Sequence, residues 1–112
     1  MQQLAVARLF DGEKWLNNQC LSWQDGRIVR VEPAVGEVLP LTLAPGFIDV
    51  QVNGGGGALF NTDTSLTALR TMVKAHAQFG STLLLPTVIT DSVGTMQAAA
   101  DVIAQALAAK EP

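Results

Sequence analysis

Pro45-Gly46-Phe47-Ile48-Asp49-Val50-Gln51-Val52-Asn53-Gly54 decides how the rest of the chain is read. Side chains of an extended strand alternate between two faces, so Ile48, Val50 and Val52 fall on one face and Phe47, Asp49, Gln51 and Asn53 on the other. The first face is apolar and suits packing under helices. The second is a polar file rising to the strand's C-terminal end, which suits the mouth of an α/β barrel, where such folds hold their active sites. The Ala44-Pro45-Gly46 turn opens this strand, and Asn53 with the four glycines 54–57 closes it.

After the strand the rhythm is helix, strand, helix. Residues 65–79 place Leu66, Leu69, Met72, Val73 and His76 on one stripe, with Asp63 or Thr64 as N-cap and Gly80 as the stop. Residues 82–89 form a nearly continuous apolar run, the pattern of a parallel strand buried on both faces. Asp91 or Ser92 then caps a second helix running to about Lys110, with Met96, Ala99, Ala100, Ile103 and Leu107 facing inward. Two successive βα units imply parallel strands joined by right-handed crossovers and covered by helices.

Before residue 44 the pattern is all β. Strand-like stretches at 4–10, 19–24 and 27–32 are separated by Asp11-Gly12 and Asp25-Gly26, and a further extended piece lies at 38–43. Asp25-Gly26 tolerates positive φ at both central positions, so 19–24 and 27–32 should pair antiparallel. The chain therefore divides into a β segment, 1–43, and two βα units, 44–112. A complete eight-stranded barrel needs roughly 250 residues, so a chain of 112 residues holds only part of one. The second helix ends at Lys110-Glu111-Pro112, where another strand would be expected, and the chain reads as cut there.

Composition narrows the chemistry. With 48% hydrophobic residues and 15% charged, the chain can bury a core. A net charge of -3 with seven scattered Lys and Arg residues excludes a nucleic-acid groove, which requires clustered cations. The single cysteine, Cys20, excludes an internal disulfide and a Cys-rich zinc site, and fits a reducing, cytoplasmic setting. Neither a secretion leader nor an apolar run long enough for a membrane span is present, so no membrane partner is expected.

Pro-Gly-Phe-Ile-Asp followed by alternating polar residues resembles the first barrel strand of the amidohydrolase superfamily, where the motif usually continues as His-x-His and supplies two metal ligands. Here Gln51 and Asn53 stand in those places. Together with Gly54 after the strand, the loop reaching Phe60-Asn61, and Leu85-Pro86-Thr87 on the second strand, the pattern resembles the N-acetylglucosamine-6-phosphate deacetylase family over nearly the whole chain. The resemblance implies a (β/α)8 TIM-type barrel with a small β-sandwich domain, of which 1–43 would be part. It implies hydrolysis of the N-acetyl group of N-acetylglucosamine 6-phosphate to give glucosamine 6-phosphate and acetate, with a divalent metal, zinc by expectation, as cofactor. It also implies that the principal metal ligands, a glutamate and two later histidines, lie beyond Pro112. No catalytic residue and no metal ligand is then expected in this chain, and the chain alone should be inactive.

Amide oxygens are poorer zinc ligands than imidazoles, so Gln51 and Asn53 predict one strongly held metal rather than two. Their expected role is to hydrogen-bond metal-bound water or orient substrate; the plainer alternative is that they satisfy polar neighbours at the strand end. Gly54, Gly55 and Thr87 are candidates for lining the same pocket. The glycines match neither a dinucleotide fingerprint nor a Walker loop, and read as a tight turn passing near the pocket mouth. Asp49, one step below the mouth, reads as a structural acceptor. His76 reads as a packed helix residue far from the strand ends, Trp15 and Trp23 as core or interdomain packing, and Cys20 as a small buried apolar group.

Two other readings compete. One is a different amidohydrolase acting on a cyclic amide or imide, against which Gln-x-Asn speaks. The other is a non-catalytic module that self-associates, because an incomplete barrel would expose a strand edge and apolar helix faces. Homo-oligomerisation is expected on that ground.

Overall fold

The computed structural model describes residues 1–111. The chain forms two compact units, Met1–Pro45 and the residues from Gly46 onward.

The first unit is a four-stranded sheet of β1 (Gln2–Phe10), β2 (Trp15–Gln24), β3 (Arg27–Pro33) and β4 (Leu39–Leu43), in the order β3-β2-β1-β4. Asp25 and Gly26 have φ of 51° and 73°, and Gln24 pairs with Arg27 across the turn. Left-handed backbone at both central positions matches the right-handed twist of the strands it joins, which is why this dipeptide sets the antiparallel hairpin. The second strand begins at Trp15, earlier than expected, because Asp11 builds its own turn. Its Oδ1 accepts the N–H groups of Glu13 and Lys14, both at 2.9 Å, and this brings Trp15 opposite Phe10. These backbone donors, that of Lys14 foremost, hold the Asp11 carboxyl below the ordinary aspartate range. β4 runs parallel to β1, with Leu43 opposite Leu9. Val6, Leu9 and Ser22 are buried. Trp15 corrects the packing expectation: it is 53% exposed, with the Arg8 guanidinium 4.5 Å from its ring centroid and the Phe10 ring at 5.0 Å. A guanidinium over an indole face stabilises such a ring at the surface. Cys20 is a free, half-buried thiol.

The second unit contains β5 (Phe47–Val52), a short hairpin of β6 (Gly54–Gly55) and β7 (Ala58–Leu59), α1 (Leu66–Ala77), β8 (Ser81–Pro86) and α2 (Val93–Ala108). β5 and β8 pair in parallel, as the alternation of strand and helix requires. Ser65, rather than Asp63 or Thr64, caps α1: its Oγ accepts the Ala68 N–H at 3.1 Å. Ser92 does the same for α2 through the Thr95 N–H at 3.1 Å. Each of these side chains satisfies one of the free N–H groups of a first helical turn. Gly80, at φ 96°, ends the first helix region with its N–H on the Ala77 carbonyl.

Val52, Phe60, Leu69, Met72, Ala99 and Val102 form the core of this unit. On α1, Leu69 and Met72 are buried and Leu66 packs against them as expected, Val73 and His76 are part-buried, and Ala68, outside the expected stripe, is buried as well. On α2 the inward face is rotated toward Ala99, Val102, Ile103 and Ala106, and Leu107 is 74% exposed. The run in β8 is not buried on both sides either: Leu84 packs on the core while Leu83 and Leu85 are half exposed, and Ile48 and Val50 on β5 are more exposed still. Two-sided burial needs flanking strands and helices on both faces, and this sheet has two strands among the described residues. No helix is long and apolar enough to cross a membrane among the described residues.

Candidate functional site at the strand ends

The carboxyl ends of β5 and β8 are sewn together by two hydrogen bonds. The Thr87 N–H donates to the Val52 carbonyl at 2.8 Å, and Asn53 Nδ2 donates to the Thr87 carbonyl at 2.9 Å. The Asn53 carbonyl in turn accepts the N–H of Phe60 at 2.8 Å, and Phe60 is fully buried in the core. Asn53 is thus fixed by main chain and side chain, half-buried. Among the described residues nothing donates to its Oδ1. Gln51 differs: its side chain is exposed, and its backbone N–H donates to Asp49 Oδ1 at 3.1 Å. Asp49 is therefore an acceptor, as expected, with its partner in its own strand rather than in a neighbouring loop. Thr87 spends its hydroxyl on the Leu85 carbonyl at 2.9 Å, so its contribution at this end is its peptide group.

Asn61 forms a second tie across the strand ends. Its Oδ1 accepts the Ile89 N–H at 2.8 Å, and its Nδ2 donates to the Ile89 carbonyl at 2.9 Å and to Asp91 Oδ2 at 3.0 Å. The Asn61 amide, and then the Ser92 N–H, hold the Asp91 carboxyl below the ordinary aspartate range. Single-residue reading of the sequence missed Asn61; an Asn directly after a buried aromatic at the end of a Gly-rich loop was the available signal.

The glycines have a packing explanation. Gly56 and Gly57, at φ 62° and 87°, make the two-residue turn between β6 and β7. A side chain at Gly55 would meet the His76 ring, and one at Gly56 would crowd Thr71 and Ala75. The hairpin folds back onto α1, and His76 Nε2 lies 2.8 Å from the Gly54 carbonyl. His76 is part-buried on its helix as expected, yet it is not remote from the strand ends, because the loop leaving β5 comes to it.

Chemically, Gln51, Asn53 and Thr87 offer neutral amides, a hydroxyl and main-chain groups, suited to hydrogen-bonding a polar ligand. Among the described residues no three His, Cys, Asp or Glu side chains come together as metal ligands would. The amide nitrogen of Asn53 is committed to Thr87, and Thr87 Oγ1 to Leu85. This donor set does not fit a catalytic metal.

Parallel strands each followed by a helix, with polar groups gathered at their carboxyl ends, define an α/β chain of the βα-unit class. Comparison with known proteins carries this further. The chain is 58% identical over 71 residues, 63% of its length, to an N-acetylgalactosamine-6-phosphate deacetylase of Shewanella sp. (strain ANA-3), and spans 18% of that protein. It is 36% identical over 106 residues, 91% of its length, to an N-acetylgalactosamine-6-phosphate deacetylase of Escherichia coli O157:H7, and spans 28% of it. An N-acetylglucosamine-6-phosphate deacetylase of Haemophilus influenzae is 48% identical over 48 residues, 43% of this chain and 13% of that protein. Among solved structures, the N-acetylglucosamine-6-phosphate deacetylase of Pasteurella multocida superposes with a TM-score of 0.81 and 30% identity over 96% of this chain and 31% of its own. The deacetylase of Mycobacterium smegmatis gives a TM-score of 0.83 at 22% identity, over 97% and 33%, a likeness of fold. No protein-family model matches the chain. The chain spans less than a third of the length of these curated relatives, and over that part it is similar to N-acetylgalactosamine- and N-acetylglucosamine-6-phosphate deacetylases.

Proposed function

We propose that this chain supplies the opening βα units, and one wall of the substrate pocket, of a barrel hydrolase that removes the acetyl group from an N-acetylhexosamine 6-phosphate in the cytoplasm. The observation that carries the proposal is Asn53: it is anchored at the carboxyl end of β5 by the Thr87 carbonyl, with its amide oxygen left to a ligand. Gln51 stands two residues earlier with an exposed side chain. The pair hydrogen-bonds the substrate or the water that attacks it. Gly54, Gly55 and Thr87 line the same rim, where the Thr87 main chain holds Val52 and Asn53 in place. The ligands of any catalytic metal come from outside these residues, in keeping with the donor set above. On this reading the 112-residue chain does not turn over substrate alone.

The relatives' names divide between the two C4 epimers. The longer and more identical match favours the galacto form. Replacing the matching stretch of the Shewanella deacetylase by this chain, and measuring acetate release from both sugar phosphates, tests the proposal. The chimera should turn over at a rate near that of the unmodified enzyme, with the galacto substrate preferred. A folded chimera with no deacetylase activity contradicts it.

A further inference from the structure

We infer that His76 is a positioning residue, which sets the direction of the Asn53 amide through the carbonyl of Gly54. The inference rests on the proposed role of Asn53 as a pocket group. Asn53 is followed by four glycines, 54–57, and a backbone of that kind has no side chains to limit its φ and ψ. Whatever fixes the peptide after Asn53 must therefore come from outside the segment. Besides the pairing of Gly54–Gly55 with Ala58–Leu59, two groups hold the backbone on either side of Gly54: the Phe60 N–H on the Asn53 carbonyl at 2.8 Å, and His76 Nε2 on the Gly54 carbonyl at 2.8 Å. Phe60 is anchored in the core, and His76 rides on α1, whose Leu69 and Met72 are buried in that same core. The helix thus reaches across the hairpin to hold the residue next to Asn53, while Thr87 holds the Asn53 side chain from the other strand.

The chemistry fixes the tautomer. A carbonyl only accepts, so Nε2 must carry the hydrogen and, in the neutral ring, Nδ1 must not. Simple packing of a histidine in the last helical turn would leave the tautomer free. Gly55 completes the arrangement, since a Cβ there would meet the His76 ring.

Nitrogen-15 NMR of the 112-residue chain tests this. Long-range proton–nitrogen correlation should show neutral His76 as the Nε2–H form; the Nδ1–H form, or rapid averaging of the two, overturns the inference. In His76→Leu, the Asn53 carboxamide resonances should shift and the Phe60 amide should exchange roughly two- to tenfold faster, the loss of one hydrogen bond. His76→Gln, which keeps a donor, should restore both. Unmoved Asn53 resonances in His76→Leu overturn the inference, and so does a loss of protection spread evenly through α1 and α2, which would mark a merely structural role. These readings need no catalysis. If they hold while Asn53→Ala leaves the chimera's turnover intact, the pocket role of Asn53 fails and the positioning by His76 stands.

Discussion

The carboxamide of Asn61 grips Ile89 from both sides, accepting its N–H at 2.8 Å and donating to its carbonyl at 2.9 Å. One planar amide thereby imitates a strand neighbour and ties the loop after β7 to the segment leading into α2. Asn61→Ala should lower stability by about 1–2 kcal/mol, through the loss of three exposed hydrogen bonds. Urea unfolding, compared through the midpoints of the two proteins, measures it. An unchanged midpoint would mean that these bonds contribute nothing.

Asp91 makes the same tie sensitive to acid. Its folded carboxyl is held below the ordinary aspartate range by Asn61 and the Ser92 N–H. A depressed folded value stabilises above the unfolded value, and that contribution fades as pH falls through the folded one. Below about pH 4 the Asn61 carboxamide resonances should therefore move in step with Asp91. In Asp91→Asn they should no longer follow the acid titration. Titration of the Asp91 carboxyl at or above the ordinary range would contradict this account.

Two glycines should respond to alanine in opposite ways. Gly56 sits at φ 62° with Thr71 and Ala75 where its Cβ would go, so Gly56→Ala should cost about 1–3 kcal/mol. Gly94 lies in the first turn of α2 with nothing closer than Ser92 Oγ at 3.9 Å to an added Cβ. Gly94→Ala should stabilise by about 0.5–1 kcal/mol. Thermal melts of the two variants beside the parent give the signs directly.

Local chemistry was legible in the sequence where it acts within a few residues. Asp25-Gly26 dictates its hairpin, and the alternation of strand and helix after residue 44 foretells a parallel β5–β8 pair. The sequence points to Asp63 or Thr64 as the α1 cap and Ser65 takes the place, because all three residue types can cap and the choice depends on which hydroxyl or carboxylate meets a free N–H. Exposure of Leu83, Leu85, Ile48 and Val50 was not legible: a strand's burial belongs to its neighbours, and an apolar run records only what it would tolerate. The ties made by Asn61 and His76 span 28 and 22 residues. Only the folding of the glycine hairpin onto α1 and the approach of the two strand ends bring such partners together.

On the proposed function Asn53, and not Gln51 alone, presents a fixed polar group to the substrate. Steady-state kinetics of Asn53→Ala in the Shewanella chimera test it most directly. The account predicts a fall in kcat/KM of roughly 10- to 100-fold, the loss of one well-placed hydrogen bond in the pocket, with the fold retained. Kinetics equal to those of the unsubstituted chimera, in a folded protein, would contradict it.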